Sequence, residues 1–131
     1  MKPLRTIVVP AVLALAALGA ECPTSNSETV CTADFRYGLN VTVVDSLTGA
    51  PVPRPILIVA SEGAFSDTSK FALQTDGMPF GSWPLLGERS GVFTVLVRAP
   101  GFQDWQQSNV RIGRDACHVI PVALTARLRR T

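Results

Sequence analysis

Short apolar runs, separated by proline and glycine at intervals of roughly ten residues, are the feature that most restricts how this chain can fold. Of its 10 glycines and 10 prolines, all but Pro3, Pro10 and Gly19 come after residue 20. No segment in that part of the chain has the long 3.6-residue period of an amphipathic helix. Short strands at this spacing, with turn residues between them, predict an all-β sandwich of around 100 residues.

Three segments have clear strand patterns. Residues 39–43 alternate between apolar and polar side chains, which predicts a half-buried strand. Residues 92–99 place Phe, Val and Val on one face, and Pro100-Gly101 ends the run. Residues 56–60 are apolar throughout and predict a buried strand.

Four further segments have shorter or interrupted strand patterns. Residues 70–73 and 110–112 are short. Residues 78–86 contain two prolines, and residues 120–128 contain Pro121. A proline cannot donate to a β-ladder, so we expect the last segment to be an edge strand and residues 78–86 to be an edge strand or irregular. Together, these segments predict a seven-stranded Greek-key β-sandwich.

The first 20 residues predict a secretory signal peptide. Lys2 and Arg5 form a positive start, residues 7–18 are mostly apolar, and small residues follow. An uncleaved N-terminal anchor is the alternative, although the uncharged run is shorter than the roughly 20 residues that a membrane-spanning helix needs. A cleaved signal predicts a secreted or periplasmic protein.

Residues 21–34 are polar and lack a hydrophobic period, which predicts a flexible leader before one domain at 35–131. Cys22 lies in this leader, so acylation of its thiol would make the protein a lipoprotein. Lipoprotein signals have a small residue immediately before the cysteine, whereas this chain has Glu21. We therefore favour a protein without a lipid anchor.

The net charge of the chain, +2, comes entirely from its first 20 residues, which hold Lys2 and Arg5 and no acidic residue. The rest of the chain has as many basic as acidic side chains, 10 of each. A neutral domain gives no electrostatic argument for nucleic-acid binding, and it has little charge repulsion between copies. We expect no nucleic-acid partner, and we expect a tendency to self-associate.

Three cysteines in an exported chain predict one disulfide with one cysteine left over. Cys31 precedes the first strand pattern and Cys117 opens the last one, so we favour a bond between them that ties the two ends of the domain together. A Cys22–Cys31 bond is the alternative, and it would close only the polar leader. His118, the single histidine, and the cysteines lack the short ligand spacings of zinc sites. We expect no metal or cofactor, and we expect His118 to be a strand residue.

The order of these motifs resembles the carboxypeptidase regulatory-like domain, a transthyretin-like (prealbumin-like) sandwich of small exported bacterial proteins. The resemblance covers about residues 31–128. The segments that carry it are 41–45 (VTVVD), 48–51 (TGAP), 87–95 (GERSGVFTV), 98–102 (RAPGF), 109–110 (NV), 117–119 (CHV) and 124–128 (LTARL). Phenylalanine stands at 93 and 102, where that family often has tyrosine. The resemblance implies a non-catalytic accessory or binding module.

Trp105 is the first candidate for ligand binding and lies in a loop-like segment, 103–107. Its neighbours Asp104 and Gln106 could bond sugar hydroxyls while the flat indole stacks on a pyranose ring. Trp83 is a second candidate. For both tryptophans, the alternative role is to cover the core of the sandwich.

Carboxylates in predicted turns and a basic tail complete the set of candidate residues. Two of the carboxylates could in principle act as the acid and base of a glycosidase, although nothing in the sequence pairs them. The carboxylates are Asp45, Asp76, Glu88 and Asp104, and the tail contains Arg127, Arg129 and Arg130. We expect the tail to be a solvated end, with weak attraction to an anionic envelope surface as its functional alternative.

The leading hypothesis is a non-catalytic exported module with a binding or structural role in the cell envelope. The alternative is a carbohydrate-binding protein that uses an exposed Trp105, and a small hydrolase that uses the turn carboxylates is third. The expected partner is a protein or a glycan, with peripheral envelope association as a further expectation.

Overall fold

Seven β-strands form the regular structure of residues 28–69 and 81–131, the part of the chain that the computed structural model describes. In chain order they are β1 (Tyr37–Asp45), β2 (Leu57–Glu62), β3 (Phe65–Ser69), β4 (Ser82–Gly87), β5 (Gly91–Arg98), β6 (Trp105–Ile112) and β7 (Val122–Leu128). The prediction of an all-β fold is confirmed for these residues, and none of them belongs to a helix that could cross a membrane. The predicted signal peptide and the predicted strand at 70–73 lie outside the described residues.

The strands form two sheets in a β-sandwich-like arrangement. One sheet has three strands in the order β4-β1-β7, and the other has four in the order β3-β2-β5-β6. β1 runs antiparallel to β4 and parallel to β7. All neighbours in the four-stranded sheet are antiparallel. β1, β2 and β5 are therefore internal, while the other strands are edges.

Apolar side chains from both sheets meet in one core. On β5, Phe93, Val95 and Val97 are completely buried, as the alternation of the sequence predicts. Leu39 and Val41 of β1 are equally buried on the other sheet. Complete burial of one such side chain contributes roughly 1.5–3 kcal/mol, so the alternating residues of β1 and β5 contribute substantially to the stability of the sandwich.

Two edge strands lie where the sequence predicts them. Pro84 is within β4, and Pro121 immediately precedes β7. Each of these strands is the outer strand of its sheet, and an outer strand can lack one backbone N–H without leaving a partner unpaired.

Two other strands differ from the sequence predictions. β6 begins at Trp105, so the loop predicted at 103–107 is wrong from residue 105 onward, and the short strand predicted at 110–112 is the end of a longer one. Residues 106–109 of β6 are all exposed, so they lack the alternation that marks a strand with one buried face. β3 has no counterpart among the predicted strands for a similar reason, since none of its side chains is fully buried.

Hydrogen bonds outside the ladders join the two sheets at both sides of the molecule. At one side, the Leu86 N–H of β4 donates to Asp67 Oδ2 of β3 over 2.7 Å. At the other side, backbone hydrogen bonds pair residues 101–103 antiparallel with residues 129–131. The second set of bonds brings the beginning of β6 next to the end of β7.

Candidate functional site

An open depression lies where β6 begins and β7 ends, and we call it the Trp105 surface. Its volume is about 360 Å³. The residues that line it are Gln103, Asp104, Trp105, Gln106, Arg127 and Arg129. It therefore contains Trp105 and both of the flanking residues that the sequence identifies as candidate ligand contacts.

Trp105 is held in place by the fold. It is the first residue of β6 and lies opposite Val97 of β5 in the ladder. Its side chain is half-buried and packs against the hydrophobic core. Because an immobilised side chain has less rotamer freedom to lose, a strand-borne indole is better prepared for stacking than one in a loop.

Asp104 is already paired with a cation. The Arg98 Nε–H of β5 donates to Asp104 Oδ2 over 2.8 Å, and both side chains are exposed. The only carboxylate on the Trp105 surface is therefore compensated by a neighbouring guanidinium.

Arg127 and Arg129 provide the positive charge of the Trp105 surface. Both side chains are exposed, and neither forms an ion pair with any described residue. In a β-strand every second side chain points to the same face. The alternation that buries Ala126 and Leu128 therefore directs Arg127 to the opposite, solvent-facing side, and Arg129, one residue after β7, is exposed as well.

Arg130 differs from its two neighbours because it is paired, although its side chain is 66% exposed, as expected for a solvated tail. Its Nε–H donates to Asp45 Oδ2 over 2.7 Å, and its guanidinium lies 5.8 Å from the centre of the Phe102 ring. Asp45 is 2% exposed. The Leu47 amide and then the Arg130 guanidinium hold the pKa of Asp45 below its ordinary value, although burial opposes that shift.

A second polar cluster surrounds His118, which lies in a bend between β6 and β7 rather than in the expected strand. Its side chain is largely buried. The ring bonds Glu88 Oε1 through Nδ1 over 3.0 Å, and Nε2 lies 3.2 Å from Thr32 Oγ1. Thr32 in turn donates to Asp34 Oδ2 over 3.1 Å. The cluster attaches the segment after Cys31 to the sandwich.

Glu88 and Asp115 stabilise the backbone around this histidine. Burial pushes the pKa of Glu88 upward, but hydrogen bonds from the Arg36 amide and His118 outweigh it, so the net pKa is lowered. Asp115 Oδ1 accepts the backbone amides of His118 and Cys117, each over 2.8 Å, and these bonds lower its pKa. Both carboxylates are thus held as anions by local donors.

The predicted disulfide is confirmed. Cys31 and Cys117 are bonded with an S–S distance of 2.07 Å and a Cα–Cα distance of 5.2 Å. The bond joins the segment before β1 to the connection between β6 and β7. The alternative pairing, Cys22–Cys31, does not form, because Cys31 is bonded to Cys117.

A depression of about 320 Å³ beside the disulfide is lined in part by Thr32, Arg36 and His118. The histidine and hydroxyl there are already bonded to each other and to carboxylates. Among the described residues, no group of three or more His, Cys, Asp or Glu side chains is arranged to hold a metal ion. This arrangement connects the segment after Cys31 to the sandwich.

Trp83, Asp45 and Glu88 do not line the Trp105 surface, and the candidate carboxylates among the described residues are not paired with one another. Trp83 belongs to β4 and is 2% exposed, so it contributes to the core. Asp45, Glu88 and Asp104 each bond a different partner: Arg130, His118 and Arg98, respectively. Asp76 lies outside the described residues.

Sequence reasoning missed Gln103, Arg127 and Arg129 as parts of the site. The sequence does contain a local signal for the arginines. Apolar residues occupy every second position from 120 to 128, and Arg127 and Arg129 occupy positions of the other set. That alternation shows that they are exposed but gives no indication of their neighbours. Their proximity to Trp105 depends on the pairing of residues 101–103 with 129–131, a long-range contact that local patterns do not encode.

No protein-family model matches the chain, and no curated protein matches its sequence.

Proposed function

We propose that this protein is an exported, non-catalytic β-sandwich module that binds a glycan through the Trp105 surface. The observation that carries the proposal is a half-buried tryptophan, fixed by core packing, in a depression that is otherwise lined by amide and charged side chains. An indole face stacks on the apolar face of a pyranose ring, and amides and guanidiniums bond its oxygens. The site thus has both types of contact that sugar recognition needs.

We further propose that the module is of the carboxypeptidase regulatory-like, transthyretin-like type. The order of motifs from residue 41 to residue 128 supports this assignment. The strand arrangement also supports it, because β1 pairs with β4 while the intervening hairpin β2-β3 belongs to the opposite sheet. A fourth strand that returns beside the first is the defining step of a Greek key.

Export is supported by two independent features. Disulfides persist mainly in oxidising compartments, and the Cys31–Cys117 bond closes most of the domain. The positive and then apolar first 20 residues have the composition of a secretory signal. Mass spectrometry of the protein recovered from a secreting host should show a mature start near residue 20, whereas acylated Cys22 would mean a lipid-anchored protein.

Glycan binding is tested by titrating the purified protein with a panel of neutral and acidic oligosaccharides. We expect at least one class to quench or shift tryptophan fluorescence, and Trp105→Ala to lower its affinity by about tenfold or more. Gln107→Ala is the matched control, because Gln107 is exposed on the same strand and does not line the depression.

Two results would contradict the proposal. One is that no oligosaccharide in the panel binds by fluorescence or calorimetry. The other is that Trp105→Ala and Gln107→Ala bind equally well, which would place any glycan contact elsewhere on the molecule.

A further inference from the structure

We propose that the glycan bound at the Trp105 surface is acidic, a chain of uronate sugars whose carboxylates contact Arg127 and Arg129. This inference rests on the proposed glycan-binding function and specifies its ligand class. The charge and the hydrogen-bond donors of the surface support it, and both are independent of the indole.

The Trp105 surface has an excess of positive charge. Asp104 is neutralised by Arg98 at 2.8 Å, whereas no described residue forms an ion pair with Arg127 or Arg129. Two positive charges therefore remain uncompensated in one depression. The part of the chain after residue 20 is neutral overall, so this excess is a local property of the surface.

The same surface is also rich in hydrogen-bond donors. Each guanidinium has five N–H donors and no acceptor, and the one carboxylate that could accept from a sugar hydroxyl is engaged by Arg98. The hydroxyls of a neutral sugar can accept from these donors, but they carry no charge that complements the guanidiniums. A carboxylate presents only acceptors and can bond a guanidinium in a bidentate pair.

Several other arginines among the described residues have intramolecular partners. Arg130 pairs with Asp45, and the Arg89 guanidinium lies 3.6 Å from the centre of the Phe65 ring. Arg127 and Arg129 have no such contact among the described residues, and both line the depression that contains the indole.

The spacing of the two arginines favours a chain with more than one acidic sugar. Side chains two residues apart on an extended strand lie about 6.6 Å from each other. This is a backbone spacing, with Arg129 one residue past the end of β7, and two guanidiniums attached at that spacing can each bond a separate carboxylate. Trp105 beside them provides the face on which a pyranose ring can stack, a contact that a bare phosphate or a lipid headgroup would not use.

The test compares an oligogalacturonate with a neutral oligogalactose of the same length, by calorimetry on the full chain. We expect the acidic oligomer to bind about tenfold more tightly or better, and Arg127→Gln/Arg129→Gln to remove that preference by lowering the acidic affinity far more than the neutral affinity. High salt should weaken only the acidic complex. Arg111→Gln is the matched control, since Arg111 is exposed on β6 outside the depression.

The outcomes separate this inference from the proposed function. Equal, Trp105-dependent binding of both oligomers would overturn the acidic preference and leave glycan binding intact. Absence of binding by any oligosaccharide would overturn both. Binding to phosphatidylglycerol vesicles but not to oligogalacturonate, with loss in the double arginine variant, would overturn the inference in favour of an anionic membrane surface.

Discussion

Trp83 and Trp105 both lie on edge strands, yet one is a core residue and the other lines a polar depression. On β4, Trp83 is 2% exposed, and every residue from Ser82 to Leu86 is buried. On β6, Trp105 is half-buried and the four residues that follow it are exposed. An edge position in the ladder therefore does not determine whether a strand faces solvent.

What lies over each strand accounts for the difference. The Arg54 guanidinium lies 6.0 Å from the centre of the Trp83 ring, and Asp67 of β3 bonds the Leu86 amide. Residues 101–103, just before β6, pair with residues 129–131, but no cation–π contact or side-chain hydrogen bond to Trp105 is present among the described residues. The comparison gives Trp83 a stabilising role and is consistent with the binding role proposed for Trp105, and the two roles can be tested separately.

The largest effect is expected from Trp83→Ala. Removal of a fully buried tryptophan should lower the free energy of unfolding by about 3–5 kcal/mol, measured by urea denaturation. Trp105→Ala, which removes a half-buried side chain, should lower it by only about 1–2 kcal/mol. A larger loss of stability for Trp105→Ala than for Trp83→Ala would reverse the assigned roles. Trp83→Phe, which keeps most of the apolar volume, provides a folded variant for checking that glycan affinity is unchanged.

Loss of the disulfide should lower the free energy of unfolding without changing the glycan affinity of the Trp105 surface. Cys31 and Cys117 are 86 residues apart, and on the chain-entropy model such a closure stabilises the protein by about 4 kcal/mol. Cys31→Ser/Cys117→Ser should lose about that much in thermal or urea unfolding. Because neither cysteine lines the Trp105 surface, the folded fraction should keep its glycan affinity. A changed affinity per folded molecule would show that the bond also shapes the binding site. Cys22→Ser is introduced into both the disulfide-bonded protein and the double variant, so that the Cys22 thiol cannot exchange with the disulfide.

The smallest of the three effects is a pH dependence of stability that comes from Asp45, on the Trp105 side of the molecule. The pKa of Asp45 is lowered in the folded state, so its contribution to stability is present above the ordinary aspartate pKa, about 3.9, and is lost as the pH falls through the lower folded value. Asp45→Asn should reduce stability at neutral pH and flatten the acid dependence. Its hydrogen-bond partner Arg130 belongs to the segment that pairs with residues 101–103.

Amide hydrogen exchange can show which part of the molecule loses stability in Asp45→Asn. In Asp45→Asn, the Gln103 amide, which bonds Arg129 O over 2.8 Å, should exchange faster than in the wild type. The Leu86 amide on the Trp83 side should be unaffected. Equal acceleration of both amides would mean that Asp45 stabilises the whole sandwich rather than one side of it.

The strands with one buried face are the part of the fold that sequence predicts well. Residues 39–43 and 92–99 alternate because one set of side chains enters the core, and a two-residue period reports that directly. Prolines at 84 and 121 identify edge strands through the missing N–H. The start of β6 and the whole of β3 lack these signals, because their side chains are exposed or only half-buried.

Only the part of the Trp105 surface that is contiguous in sequence could be predicted. Trp105 and its polar neighbours are adjacent in the sequence, so a local pattern finds them. Arg127 and Arg129 join them through pairing between segments more than 20 residues apart. The ion pair of Arg130 with Asp45 spans 85 residues. Three arginines within residues 127–130 give no sign that one of them has a different partner from the others.

The Cys31–Cys117 bond also determines how the domain would respond to mechanical load. Tension applied to the segment before residue 31 would pass through the covalent bond into the connection between β6 and β7, rather than first into β1. The hydrogen bonds of β1 with β4 and β7 would then be shielded from the pull. A module held by its leader and loaded by a glycan at the start of β6 would transmit force mainly along that strand, with the central strand of the smaller sheet left unloaded.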